Sequence, residues 1–166
     1  MNVSIETVGV LLTLVYLAFE LRANNRIAKT NGHRDIIQQL SAWFKRQEDI
    51  ETSSILVRGA QDFNVLTPAE KAIYDSIQYQ YFHICEQVFY MVRGKLIPEH
   101  VCDAFFGGAA MFIYEKGTND WWKISSELAY PKDFVEAAEN TAKDGNDYSR
   151  ILDSHAPYLW ARESLD

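Results

Sequence analysis

The first twenty-one residues contain neither lysine nor arginine, and the whole 166-residue chain holds only two cysteines and four prolines. Cys85 and Cys102 stand far apart, with no CxxC and no His/Cys cluster at zinc spacing, which excludes a disulfide scaffold or a zinc finger and points to a reducing compartment. There is no Gly-rich phosphate loop, no GxSxG and no HExxH. Ser4, Ser53 and Ser54 have no His/Asp pattern beside them, so nucleophilic catalysis has no support. Sustained period-two alternation is absent, which argues against strands and for an all-α fold. Basic residues are outnumbered by acidic ones, for a net charge of −7, and this leaves no electrostatic footprint for duplex nucleic acid. Internal repeats and low-complexity segments are also missing.

What is present is a core-rich composition, 48% hydrophobic and 13% aromatic, which excludes a disordered chain. Its most apolar stretch is Thr7 to Phe19, uncharged and bracketed by Glu6 and Glu20. As a helix it spans about 20 Å, short of a hydrocarbon core of roughly 30 Å. Extension through Val3, Ile5 and Leu21 brings it to about 30 Å with both glutamates at the interfaces. Its apolar residues cover every face, unlike those of an amphipathic surface helix. Arg22, Arg26, Lys29 and Arg34 follow at once, an asymmetry that places the C-terminal side in the cytoplasm. No basic n-region precedes the run and no small-x-small site follows it, so a cleaved signal peptide fits poorly. The expectation is a helix in the inner membrane, N-terminus outside, with Arg22, Arg26 and Lys29 at the lipid headgroups. Glu20 either snorkels or bonds Asn24, or, in an oligomer, joins Glu6 in lining a water-filled interior.

Three regions are expected: residues 1–30 as membrane helix and extension, 31–144 as an antiparallel helical bundle, and 145–166 as a tail or short helix. Asn31-Gly32 reads as a helix stop. A second helix, from about His33 to Gln47, carries a stripe of Ile36, Ile37, Leu40, Trp43 and Phe44, and a third runs from about Ile50 to Gly59. The best-marked start is Thr67-Pro68-Ala69-Glu70, an N-cap, a proline at N1 and a capping box. The helix it opens runs to about Arg93 and stops at Gly94. Its apolar rows, Ile73-Ile77-Tyr81-Ile84-Val88-Met91 and Tyr74-Phe82-Cys85-Phe89-Val92, make it the central helix, with Gln78 interrupting the second row. A fifth helix runs from Pro98 to about Lys116 with Val101, Ala104, Phe105, Met111 and Phe112 inward. Gly107-Gly108 either bends it or lets a neighbour approach closely. Past Gly117-Thr118, Asn119 or Asp120 caps a helix bearing Trp121 and Trp122, and Pro131 opens the last one.

Two constellations bear on chemistry. Tyr79, His83, Glu86 and Tyr90 form a part-polar strip on the long helix, at spacings of four, three and four. His at i and Glu at i+3 face one way and can share a proton or hold one side of a metal site. No partner ExxH appears elsewhere, so neither metal nor cofactor is expected and no catalytic residue is assigned. An Arg and a His separated by four to six residues recur at Arg26/His33, Arg93/His100 and Arg150/His155.

The apolar run, then Tyr16 to Arg26 (YLAFELRANNR), then Cys85 to Leu96 (CEQVFYMVRGKL), then a Trp-Trp pair before a final helix, resembles a group of uncharacterised bacterial proteins. That resemblance implies one N-terminal membrane helix on a small helical cytoplasmic domain, and no assigned chemistry. Glu20 stands where that group more often has Gln. The Arg/His spacing is similar to the ribonuclease motif of HEPN-type helical domains, although the polar residue after the Arg is replaced by Ile27, Gly94 and Ile151. A membrane helix ahead of a HEPN-like body is similar to membrane accessory proteins of some CRISPR systems, which implies rings that perturb the membrane. The expected function is therefore a membrane-anchored, self-associating scaffold or accessory subunit, with membrane lipid and further copies as partners. An oligomeric pore is the alternative. A hydrolase or nuclease using His83/Glu86 or an Arg/His pair is the third reading.

Overall fold

A computed structural model describes residues 5–144 of the chain, and of these the side chains of residues 5–13, 15, 25, 26, 28 and 144 lie outside what is described. The proposed tail or helix at 145–166 lies outside the described residues. Among the described residues six helices follow in order: α1 (Ile5–Lys45), α2 (Ile50–Gln61), α3 (Pro68–Arg93), α4 (Glu99–Tyr114), α5 (Lys116–Ala129) and α6 (Lys132–Asp144). A 3-10 turn, Phe63–Val65, links α2 to α3, and there is no strand among the described residues.

The capping box forms as expected. The Thr67 hydroxyl accepts from the Glu70 N–H at 3.3 Å, and the Glu70 carboxylate accepts from the Thr67 N–H at 2.8 Å. With Pro68 in the first turn, this fixes the start of α3, which runs 26 residues and becomes the axis of the body. Tyr74, Ile77, Tyr81, Phe82, Ile84, Cys85, Val88 and Met91 are buried along it. Gln78 is buried with them rather than breaking the row, while Ile73 is exposed.

Helix α3 ends in a Schellman motif. The Leu96 N–H donates to the Met91 carbonyl and the Lys95 N–H to the Val92 carbonyl, both at 2.8 Å. The residue in the left-handed conformation is Lys95, at φ 56°, and Gly94 beside it sits at φ −75°.

The expected stop at Asn31-Gly32 is absent, because α1 continues through it for 41 residues. Gly32 serves a packing contact instead. A Cβ there would come within 2.2 Å of the Met91 Cε, so α1 and α3 meet closely at this point. The helices are antiparallel: Gly32 lies at Met91, Gln39 bonds Gln87, the Trp43 indole donates to the Ile77 carbonyl at 3.0 Å, and Arg46 reaches Ser76 and Gln80. The inward stripe of this half is narrower than expected. Ile36 and Trp43 are buried and Leu40 half-buried, but Ile37 and Phe44 are exposed.

Helices α4 and α6 pack against each other, α4 against α3 and α5, and α2 against α3 and α5. The face α4 buries is Phe106, Ala109, Ala110 and Ile113. Of the residues expected inward, Val101, Phe105, Met111 and Phe112 are half-buried and Ala104 is exposed. Gly107-Gly108 does not interrupt α4; the Tyr81 hydroxyl lies 2.2 Å from where a Gly108 Cβ would stand, so close approach is the reason for glycine there. Helix α5 begins at Lys116, not at Asn119 or Asp120, and has no side-chain cap. Gly117 and Thr118 are buried in its first turn, where Gly117 abuts the backbone of α2.

Candidate functional site

The middle of α3 brings together most of the predicted polar strip. Spacings of four and three residues place Tyr79, His83 and Glu86 along one side of the helix. The His83 Nδ1 and Glu86 Oε2 lie 3.0 Å apart, with the imidazole about half exposed and the carboxylate more enclosed. Tyr79 stacks on the His83 ring, centroids 6.0 Å apart and planes 21° apart. The other wall comes from elsewhere in the chain. Tyr130, in the connection between α5 and α6, holds its ring 5.0 Å from that of His83 and 5.4 Å from that of Trp122. Its hydroxyl is buried with no hydrogen-bond partner among the described residues, and burial pushes the phenol far above its ordinary range. Trp121 backs Tyr79 edge-on at 5.3 Å and donates its indole N–H to Asp75 at 2.7 Å.

Tyr90 does not join this group. It donates to Asp133 Oδ1 at 2.8 Å, and the Arg93 guanidinium bonds the other oxygen of the same carboxylate, fastening α3 to the start of α6. The Tyr90 hydrogen bond, helped by Arg93, holds the Asp133 carboxyl below its usual range.

The arrangement presents a His–carboxylate pair beside a wall of aromatic rings. The pair can hold or pass a proton, and the rings offer flat apolar faces. Among the described residues no group of three His, Cys, Asp or Glu is placed to hold a metal ion. Cys85 is buried, its thiol pushed up by burial, and its Sγ–H points at the Phe105 carbonyl at 3.8 Å; Cys102 is half-buried, and both are free thiols. Of the Arg/His pairs, Arg93 is committed to Asp133, His100 is exposed in the first turn of α4, and His33 is exposed on α1. The Arg26 side chain and the Arg150/His155 pair lie outside the described residues.

Glu20, Arg22 and Lys29 are all exposed on α1, and the Glu6 side chain lies outside the described residues. The residues that sequence reasoning missed are Tyr130, Asp133 and Asp75. Tyr130-Pro131 is legible only as a helix boundary, since the residue before proline is held extended, here at φ −124°, ψ 147°. Nothing in that dipeptide points at His83.

Compared with protein-family models, curated proteins and solved structures, the chain matches none of them.

Proposed function

We propose that this chain is a membrane-tethered, self-associating helical protein that works as a scaffold or accessory subunit, with the N-terminal half of α1 as the tether. One observation carries the reading. In that half, Leu14, Tyr16, Leu17, Phe19, Leu21 and Ile27 are each between 48% and 64% exposed, and among the described side chains of α1 the first buried one is Ile36. At 100° per residue, Leu14, Leu17 and Leu21 fall on one side of the helix and Tyr16, Phe19 and Ile27 on the opposite side. A docking groove covers one stripe of a helix; a lipid surround covers both.

Among the described residues no helix is long and apolar enough to cross a membrane. The tether therefore rests on the unburied apolar side chains rather than on a span. Arg22 and Lys29 at its body end favour the cytoplasmic leaflet and a cytoplasmic body. Glu20 is exposed within the apolar half, and a carboxylate at lipid depth is costly unless neighbouring copies enclose it, which favours self-association.

The test is the state of the full chain after expression. It should pellet with membranes through an alkaline wash and, once solubilised, form a particle whose protein mass is a multiple of 19.1 kDa. A monomer that stays in buffer without detergent sinks the proposal.

A further inference from the structure

Because α1 and α3 are antiparallel, α1 leaves the body where α3 ends. The turn between α3 and α4 shapes a shallow, widely open groove there of about 620 Å³. Three cations border it: Lys29 from α1, Arg93 from the last turn of α3, and Lys95 from the turn itself. One carboxylate, Glu99, borders it too, and the Asp133 carboxylate already engages Arg93. The sum is still positive, in a chain whose net charge is −7. The remaining lining is apolar, from Val92, Leu96, Ile97 and Pro98.

Two features of the backbone set these lysines at the rim of the groove. Lys29 precedes Ile36 by seven residues, two helical turns, so it shares the face of α1 that packs on the body. Lys95 holds a left-handed backbone, φ 56°, that carries the chain from the end of α3 into the α4 turn. Neither lysine forms an ion pair with a described residue.

We propose that this groove binds the phosphate of an anionic glycerophospholipid, with Lys29 and Lys95 on the phosphate, Arg93 behind them, and the Val92-Leu96-Pro98 wall against the glycerol and first acyl carbons. The inference rests on the membrane-tether reading and deepens it. The groove has the volume of a small-molecule site, its charge is opposite to that of the phosphate, and it lies at the end of the body from which the apolar half of α1 emerges. The tether thus holds the body with this end toward the headgroups.

The experiment is flotation of the full chain with vesicles of phosphatidylcholine alone or with added phosphatidylglycerol. Wild type should favour the phosphatidylglycerol vesicles. Lys29→Gln or Lys95→Gln should each weaken that binding about five-fold and the pair about 25-fold, with binding to phosphatidylcholine unchanged. Lys123→Gln with Lys143→Gln, which changes net charge equally on α5 and α6, should leave the preference intact. If the paired Lys29/Lys95 variant behaves like this control, the groove is not the site, although the tether stands. If wild type floats with neither vesicle, the tether itself falls. Inorganic phosphate at matched ionic strength should not erase the preference; if it does, the groove takes free phosphate rather than lipid, and the proposal is overturned.

Discussion

Gly117→Ala should unfold this protein more readily than its chemistry suggests. In an isolated helix the substitution is favourable by about 1 kcal/mol, because alanine is the better helix former. Here the added Cβ would stand 1.9 Å from the Gly59 carbonyl oxygen, 2.7 Å from the Phe63 nitrogen and 2.9 Å from the Ala60 carbonyl oxygen. All three are backbone atoms of α2 or the turn after it, and none can rotate away. Bringing the shortest contact out to a tolerable 3.0 Å requires α5 and α2 to separate by more than about 1 Å. That loosens Thr118, Trp121 and Trp122, all buried, and the Tyr74–Thr118 hydroxyl pair at 2.6 Å. Overpacking typically costs about 1–3 kcal/mol, and an immovable backbone contact belongs at the upper end. Set against the propensity gain, this leaves a net loss of about 2 kcal/mol, or a midpoint about 6 °C lower for a domain of this size. Thermal unfolding followed by far-ultraviolet circular dichroism reads it directly. Gly32→Ala is the comparison, since its Cβ meets only the tip of Met91, which can swing aside, and it should stay within about 1 kcal/mol of wild type. If Gly117→Ala melts at or above the wild-type midpoint, the close approach of α5 to α2 is not as described.

Two further outcomes follow from the geometry. Lys95→Gly relieves a left-handed backbone that costs a side-chain-bearing residue about 1 kcal/mol, so it should raise stability by that amount in urea titrations; a neutral or destabilising result would contradict the Schellman turn. Glu70 is held down to about 2 from an ordinary 4.5, first by the hydrogen bond from Arg58 and then by the Thr67 N–H. A carboxyl lowered by folding contributes stability that is complete above its unfolded value, and that contribution is lost as pH falls from about 4.5 toward 2. Glu70→Gln should therefore flatten the acid limb of a stability-against-pH curve, and an unchanged limb would remove Glu70 from the account.

The parts of this fold that were legible in the sequence are those whose cause is local. The start of α3 is written in four consecutive residues, Thr67 to Glu70, and its end in Arg93-Gly94, so both boundaries and most of the buried faces between them could be read, with Ile73 and Gln78 as the exceptions. The His83–Glu86 contact was legible for the same reason, since three residues on a helix fix it. Tyr130 was not, because its position depends on how α5 docks, and that docking depends on contacts such as Gly117 with Gly59, 58 residues apart. The inward face of α4 was misjudged by part of a turn. Phe105 and Phe112 look like core residues by type, but α4 must satisfy α3, α5 and α6 together, and the compromise buries Phe106, Ala109, Ala110 and Ile113.

The glycines show why a local rule failed. Gly32 reads as a stop and Gly117 as a break between helices, because in an isolated helix glycine costs about 1 kcal/mol, whereas Gly107-Gly108 reads either as a bend or as a point of close approach, and the second is what Gly108 shows. In the folded chain each lies inside a helix at a point of close contact with another element: Gly32 with Met91, Gly108 with Tyr81, Gly117 with Gly59. The propensity penalty is offset by packing that a larger residue would forbid, and no single-helix signal carries that term. For α1 the consequence reaches function. Since Gly32 does not break the helix, the exposed apolar half and the half that packs on α3 form one continuous rod. A rod transmits orientation where a hinge would not. The rotation of α1 that buries Ile36 and Trp43 also sets the side of the helix that carries Lys29, two turns from Ile36, so on the tether proposal packing against α3 decides which face of the body would meet the headgroups. A two-residue insertion after Ala28 would turn everything before it by about 200° and move Arg22 off the groove side while leaving Lys29 and the body intact. If vesicle selectivity survives that insertion unchanged, the groove binds lipid without help from the register of the rod.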